Sequence, residues 1–583
     1  MKKAMGLFIA LAVMLFATQV FAATVYPLDK ATMLAGAKFD FKVEFDTVVR
    51  PQDVQVTING RNYAEVLGAT GSWMEERLAD GSSATALIVR DVALANDNYT
   101  VRVKTAGGTD RVDWTVFPPS GQAKAKNVIV LIADGLSVGH RTAARLISKG
   151  NVEGTSQGVL NMDRMERLGM LGTSSVDAIT VDSANSMSAY MTGHKSSINA
   201  IGVYADRTED PFDDPKQENI AELLRRTTGK SIGIVSDAEL EDATPAAVVA
   251  HTRRRAEKAE IVKAFAAIEP EVLLGGGASY FLPQSVTGSK RKDDIDFIKE
   301  FSRKGYAVVT SNTELTSLDK DSMPEKLLGL FHPGNMDGAL DRLFLKKNTV
   351  PKYPDQPDLT TMTKVALDIL SRNDEGFFLM VEAGSVDKFA HPMDWERSVY
   401  DTIMFDQVVG IAQQFMKSNP DTLLIVTGDH THSISVYGTV DDEKEVVASI
   451  RDKVGTYANA GFPNYADKNG DGYPDDVYPT KRLAVGFGNH PDYYESFAPH
   501  LEGTFTPAVK DENGRYVANE AYDKDGALFM QGNLSYDESQ EVHSVDDQIL
   551  SMSGPGSEQV KAYQENTATF RYIVEALGID PRS

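Results

Sequence analysis

The chain of 583 residues contains no cysteine. That excludes disulfides, a lipid-modified cysteine and any thiolate metal site, so a bound metal has to be held by His, Asp, Glu and hydroxyl groups. Histidine is itself scarce, at ten residues, which makes any clustering of it informative. Basic residues are short as well: 59 Lys and Arg stand against 83 Asp and Glu, a formal charge of −24. Such a balance argues against a nucleic-acid-binding surface and repels phosphate esters at long range, so a phosphate site would need metals or a few well-placed arginines. Beyond the N-terminus no stretch is long and apolar enough to span a bilayer.

What is present begins with a leader pattern in residues 1–22. Lys2 and Lys3 precede the apolar stretch Ala4 to Phe16, and Val20-Phe21-Ala22 is a small-residue cleavage pattern. The expectation is export to the periplasm or the cell exterior, with cleavage after Ala22; a membrane anchor is the weaker reading, because the apolar core is short.

Residues 24–118 alternate in short runs. Phe39-Asp40-Phe41-Lys42-Val43-Glu44-Phe45, Val54 to Ile58 and Tyr99 to Val103 each put apolar residues on one face, with turns at Asn59-Gly60 and Gly107-Gly108. This predicts a small all-β sandwich of immunoglobulin-like size, followed by a linker at 119–126. From Asn127 the texture is α/β. Val128 to Ala133 is a continuous apolar run ending in Asp134-Gly135, and strands recur at Ser231 to Ser236, Val272 to Leu274, Phe377 to Val381 and Leu423 to Thr427. The expected fold for 127–583 is a central, mostly parallel sheet flanked by helices, with ligands at the carboxyl ends of its strands.

Chemistry-bearing residues follow those strand ends. Asp387 and His391 lie four apart, on one helical face, and Asp429-His430-Thr431-His432 follows Thr427-Gly428. Unpaired buried carboxylates are costly, so metal binding is the economical reading, and all-oxygen-and-nitrogen ligands suit zinc or magnesium better than copper or iron. Asp182 and Ser183 follow a strand-like approach and open a run of small residues with helical spacing. A serine at a helix N-terminus either holds an anion or merely caps the helix. No histidine base is placed next to it.

Residues 436–540 lose the sheet pattern and read as an insertion at the mouth of the site. Within it, Asp467, Asn469, Asp471 and Asp475, with Gly472 at the sixth place, have the opening spacing of a calcium loop, but Tyr478 stands where the twelfth-place glutamate belongs. Calcium is one reading and a solvated turn the other. Glu541 to Gly556, with His543, Asp546 and Asp547, returns to the main domain, and Thr567 to Leu577 closes the chain as an amphipathic helix.

Six ordered motifs, VIVLIADG, TVDSANSMSAYMTG, AELEDATPAAVVAHTRRR, MVEAGSVDKFAH, TGDHTHS and EVHSVDDQ, resemble the bacterial alkaline phosphatases from Asn127 to the C-terminus. The sandwich lies outside the resemblance. It implies that Ser183 is the nucleophile of a phosphoserine intermediate and Arg255 the phosphate clamp, with Arg253 and Arg254 crowding that position. It implies two Zn2+ ions, one on Asp387, His391 and His543 and one on Asp134, Asp429 and His430 with the Ser183 oxygen. A Mg2+ ion would lie on Asp134, Thr244 and Glu382. Asp182, Asp242, Lys388 and His432 would surround these ligands, and the Asp242/Lys388 pairing is the one that goes with magnesium. Small phosphate monoesters are the implied substrates, with a homodimer left open. A sulfatase reading lacks its Cys/Ser-x-Pro-x-Arg run, a phosphodiesterase usually has a threonine nucleophile and no arginine clamp, and a secreted binding protein would not keep complete ligand sets.

Overall fold

The computed structural model describes residues 23–446, 448–524 and 526–582. The expected leader, residues 1–22, lies outside the described residues.

Residues 23–117 form two sheets around one core. One sheet runs Ala23–Tyr26, Phe39–Phe45, Ser83–Val92, Ser72–Arg77; the other runs Thr32–Leu34, Gly108–Phe117, Asp97–Thr105, Gln55–Ile58, Arg61–Asn62. Val25, Phe41, Val43 and Leu87 from the first meet Ile58, Val101, Val103 and Trp114 from the second, as alternating strands with one apolar face require.

The strand Phe39–Phe45 departs from the sequence expectation. Its alternation predicts one wet face, yet all seven residues are buried. The polar side is covered by residues 204–218. Lys42 Nζ sits 3.2 Å from Glu44, 2.7 Å from Glu76 and 2.5 Å from Asp206, and Arg207 reaches Glu44 and Asp46. Arg90 pairs with Asp40 at 2.6 Å and donates to the carbonyls of Asp213 and Asp214. The main chains also cross, the Asp40 amide donating to the Lys216 carbonyl and the Glu218 amide to the Lys38 carbonyl. The segment expected as a linker is docked too, the Lys124 and Ala125 amides both donating to the Ala576 carbonyl.

The large sheet has ten strands: β1 (Asn127–Ala133), β2 (Arg167–Gly172), β3 (Ser231–Glu239), β4 (Val272–Gly276), β5 (Ala307–Val309), β6 (Leu327–Leu330), β7 (Phe377–Ala383), β8 (Thr422–Thr427), β9 (Gln548–Ser553) and β10 (Tyr563–Glu565). Their order is β5-β6-β4-β3-β7-β1-β8-β9-β2-β10. Every pairing is parallel except the two made by β9. Alternation along β1 divides the core. Ile129, Leu131 and Ala133 pack under α1 (Val138–Lys149), α5 (Leu359–Leu370) and α6 (Trp395–Ser418). Val128, Val130 and Ile132 pack under α2 (Ser183–Thr192), α3 (Ile220–Thr227), α4 (Lys258–Ile268) and α7 (Ala568–Leu577). Burial on both faces is why these strands read as unbroken apolar runs.

Two expectations need correction. The insertion is not strandless: Ile434–Asp441 pairs antiparallel with Lys481–Phe487, and shorter pairs follow at Tyr493–Glu495 with Leu528–Met530 and Ala508–Lys510 with Tyr516–Ala518. The approach to Ser183 is not a strand either. Residues 173–182 are irregular, because the chain must turn from the carboxyl end of β2 to a helix on one face.

Candidate active site and metal centre

Parallel strands deliver their carboxyl ends to one edge. In register, Ile132 of β1 lies beside Glu382 of β7 and Thr427 of β8, so Asp134, Glu382 and Asp429 emerge together. Asp134 is followed by Gly135, whose φ is +69° and whose absent Cβ would come within 2.4 Å of the His432 ring. The glycine is what lets His432 close over the turn.

Ser183 is the first residue of α2 and is buried. Asp182, not Ser183, caps the helix: one carboxylate oxygen accepts the Asn185 amide at 3.1 Å and the other the Asn199 amide at 2.6 Å. The serine hydroxyl is therefore free of the capping role. Its Oγ lies 3.1 Å from His430 Nε2, the side chain that the resemblance puts on the same ion, although the residues by themselves place no histidine next to the serine. The two residues are 247 positions apart in the chain, so no local pattern could show it.

His430 Nε2 is 3.0 Å from Asp134 and 3.4 Å from Asp429. Alongside, Asp387 Oδ1 faces His391 Nε2 and His543 Nε2, each at 3.3 Å, and those two nitrogens are 3.2 Å apart. His432 Nε2 donates to the same Oδ1 at 2.8 Å. The far nitrogens are fixed by the main chain: His391 Nδ1 donates to the Glu541 carbonyl at 2.8 Å and His543 Nδ1 to the Val181 carbonyl at 2.6 Å. Each Nε2 is thereby left as a lone pair aimed at the centre, the tautomer a metal ligand needs.

The carboxylates fit cations. Asp134, Asp387 and Asp429, with the three imidazoles, are held without enough positive charge, and both oxygens of Asp134, Asp429 Oδ2, His430 Nδ1 and Thr244 Oγ1 are buried with no hydrogen-bond partner. Unsatisfied buried polar atoms cost about 1–3 kcal/mol each, so their concentration here marks a place built for ions. Electrostatics say the same. Burial, then Asp134 beside it, pushes the Asp429 carboxyl up to about 7; burial and the neighbouring His430 push His543 down to about 3. Burial would raise Asp387, but His391 and Lys388 outweigh it and hold the carboxyl well below the usual range.

The residues expected around a third ion are placed less tightly. Glu382 Oε2 accepts from the Ser236 hydroxyl, and Glu382 belongs to none of the groups of potential ligand atoms within 4.8 Å of one another. Lys388 spans to Asp242 at 3.2 Å, Asp387 at 3.0 Å and Asp134 at 3.7 Å. Arg255 Nη2 donates to Asp242 at 2.8 Å. Arg253 and Arg254 instead donate to the carbonyls of Thr208 and Glu209, so only Arg255 of the three turns toward this centre.

Sequence reasoning missed Glu541. Its carboxylate accepts from His432 Nδ1 and from the Ser433 amide and hydroxyl, and it groups with His391 and His432. The available signal was its place two residues before His543. In the 467–475 loop, Asp467 accepts the Gly470 and Gly472 amides, Asn469 the Asp471 amide, Asp471 the Tyr473 amide and Asp475 the Lys468 amide; the loop's own N–H groups occupy those side chains.

A family model described as "Alkaline phosphatase" matches residues 125–579. Alkaline phosphatase H of Pseudomonas aeruginosa (strain UCBPP-PA14) is 32% identical over 384 residues, 59% of this chain and 78% of that one. The alkaline phosphatase of Escherichia coli (strain K12) is 31% identical over 350 residues, 54% of this chain and 71% of that one. Among solved structures, the Thermus thermophilus alkaline phosphatase aligns with a TM-score of 0.55 at 24% identity, covering 79% of this chain and 93% of its own.

Proposed function

The chain belongs to the alkaline phosphatase family and is a phosphatase, and from that premise we propose that it hydrolyses phosphate monoesters through a phosphoserine on Ser183. The observation that carries the reading is Ser183 Oγ, uncapped at a helix N-terminus and 3.1 Å from His430 Nε2, amid carboxylates without hydrogen-bond partners.

Asp387, His391 and His543 would hold one Zn2+, Asp134, Asp429 and His430 the other, and Asp134, Thr244 and Glu382 a Mg2+. Such ions, when bound, lower the pKa of a hydroxyl or water and neutralise a departing oxygen. The protein's own groups do the rest. The α2 N-terminus directs unpaired amides and the positive end of the helix dipole at a bound phosphoryl group. Arg255, oriented by Asp242, presents its remaining guanidinium N–H groups to the equatorial oxygens, where charge gathers in a loose transition state. Ser183 Oγ gives up its proton to solvent and attacks phosphorus as the bond to the alcohol oxygen breaks, that oxygen taking a proton from solvent to leave as the alcohol; water then attacks the phosphoserine, the bond to Oγ breaks, and Oγ regains a proton to return the serine and inorganic phosphate. Glu541 and His432 hold Asp387 and the turn beneath it in place.

Export to the periplasm or cell exterior belongs to the same reading, supported by the pattern of residues 1–22, as does an immunoglobulin-type origin for the sandwich. The test is acid quenching during turnover, with phosphate expected on Ser183. Ser183→Ala should abolish turnover while retaining bound metal and thermal stability. Near-normal turnover in that variant would sink the covalent mechanism.

A further inference from the structure

A second carboxylate cluster lies away from the catalytic centre, where the sandwich meets residues 204–218. Ligand atoms of Asp206, Asp213 and Asp214 lie within 4.8 Å of one another. Asp214 is 1% exposed; its Oδ1 accepts the Asp206 amide at 2.9 Å, and its Oδ2 has no partner. The Thr208 hydroxyl stands 2.9 Å from Asp206 Oδ1 and 2.8 Å from Asp213 Oδ1. It has one proton and can satisfy only one of them.

The charges around the cluster do not balance. Glu44, Glu76, Asp206, Asp213 and Asp214 are five carboxylates. Facing them are Lys42 and Arg207, already drawn to Glu44, Glu76, Asp206 and Asp46, and Arg253, 3.8 Å from Asp206. Arg90 is paired with Asp40 and reaches only the carbonyls of Asp213 and Asp214. Five negative against three positive, of which Arg207 is shared with Asp46, leaves at least two charges uncompensated at a largely buried interface, where an unpaired carboxylate is expensive.

We infer that Asp206, Asp213 and Asp214 bind a calcium-type divalent cation that closes the 206–214 loop on itself where it lies against the sandwich. The donors are all hard oxygens, and Asp213 is only half-buried, which leaves a side open for the waters that complete an irregular shell; this suits Ca2+ better than the strict octahedron of Mg2+. Burial, with Asp206 and Asp213 adding to it, pushes the Asp214 carboxyl up to about 7, which agrees with a group that needs a cation to stay ionised. The loop also carries the arginine segment: the Arg253 amide donates to the Pro211 carbonyl at 3.3 Å and its guanidinium to the Thr208 carbonyl. The ion would therefore brace the chain two residues before Arg255. This site is separate from the catalytic ligands and does not rest on the reading of the reaction.

The test uses full-length enzyme loaded with its catalytic metals, washed with a calcium-selective chelator and then given CaCl2 alone at about 1 mM, the range of extracellular calcium modules. Melting should rise by roughly 2–5 °C in the wild type and in Asp467→Asn, which controls for the 467–475 loop. Asp214→Asn and the less buried Asp213→Asn should show no rise and bind one Ca2+ fewer by calorimetry. Absence of a shift in the wild type overturns the inference and leaves a proton on Asp214 as the compensation. A shift that survives in both Asp213→Asn and Asp214→Asn, or that disappears in Asp467→Asn, overturns it equally.

Discussion

Replacing Arg255 by alanine tests the clamp most sharply. The guanidinium is already committed through Nη2 to Asp242 at 2.8 Å, so only its other N–H groups are free for a phosphoryl oxygen. Counting one net charge-assisted contact gives about 1.5–3 kcal/mol, a loss of roughly 10–150-fold in kcat/KM for a monoester. Inhibition by inorganic phosphate should weaken in parallel, because a free phosphate dianion uses the same contact. Diester hydrolysis should fall much less, since a diester has one charged oxygen fewer to offer. The fold should survive: Asp242 keeps Lys388 at 3.2 Å. Arg254→Ala is the matched control, its guanidinium donating only to the Glu209 carbonyl at 3.1 Å. Steady-state kinetics on an aryl monoester and an aryl diester, with a melting curve for each variant, decide it. A loss under about threefold in Arg255→Ala, or a larger loss in Arg254→Ala, would refute the assignment.

Lys42→Met should destabilise the protein by about 3–5 kcal/mol, since it removes the cation shared by three buried carboxylates and leaves Glu76 without a partner; urea unfolding showing under 1 kcal/mol would mean Lys42 does not pin the sandwich. Glu541→Gln should weaken metal retention by about 10–100-fold, as losses of ligand-orienting partners do, and a chelator titration followed by zinc and magnesium add-back would measure it. With calcium withheld, Asp214 is an acid whose pKa rises on folding from 3.8 to about 7. Its contribution is full below about pH 4 and lost as pH climbs through 7, so the stability of the wild type relative to Asp214→Asn should fall across that window; a difference flat with pH would contradict the burial of that carboxyl.

Five strands of the large sheet, β1, β3, β4, β7 and β8, were readable because strands buried on both faces leave continuous apolar runs; β2, β5, β6, β9 and β10, which lie toward the two ends of the sheet, were not. The convergence of the candidate ligands was readable for the same reason: a parallel sheet brings the carboxyl ends of its strands to one edge, so Asp134, Glu382 and Asp429 come together. Ser183 at a helix start followed from local spacing alone. Contacts between distant segments were not readable. Glu541 looked like one acid among many, and its carboxylate gained meaning only when folding set it against His432. Ser183 and His430 became neighbours only when the start of α2 and the end of β8 met at the carboxyl edge of the sheet. The polar face of Phe39–Phe45 reads as solvated in any local window. Its burial depends on Asp206 and Arg207, some 160 residues away, supplying the opposite charges. Periodicity reports which face of an element is apolar, and motif spacing reports what one turn or strand end can present. Which polar groups are desolvated, and which charge answers which, is a property of surfaces that meet only after the chain has folded.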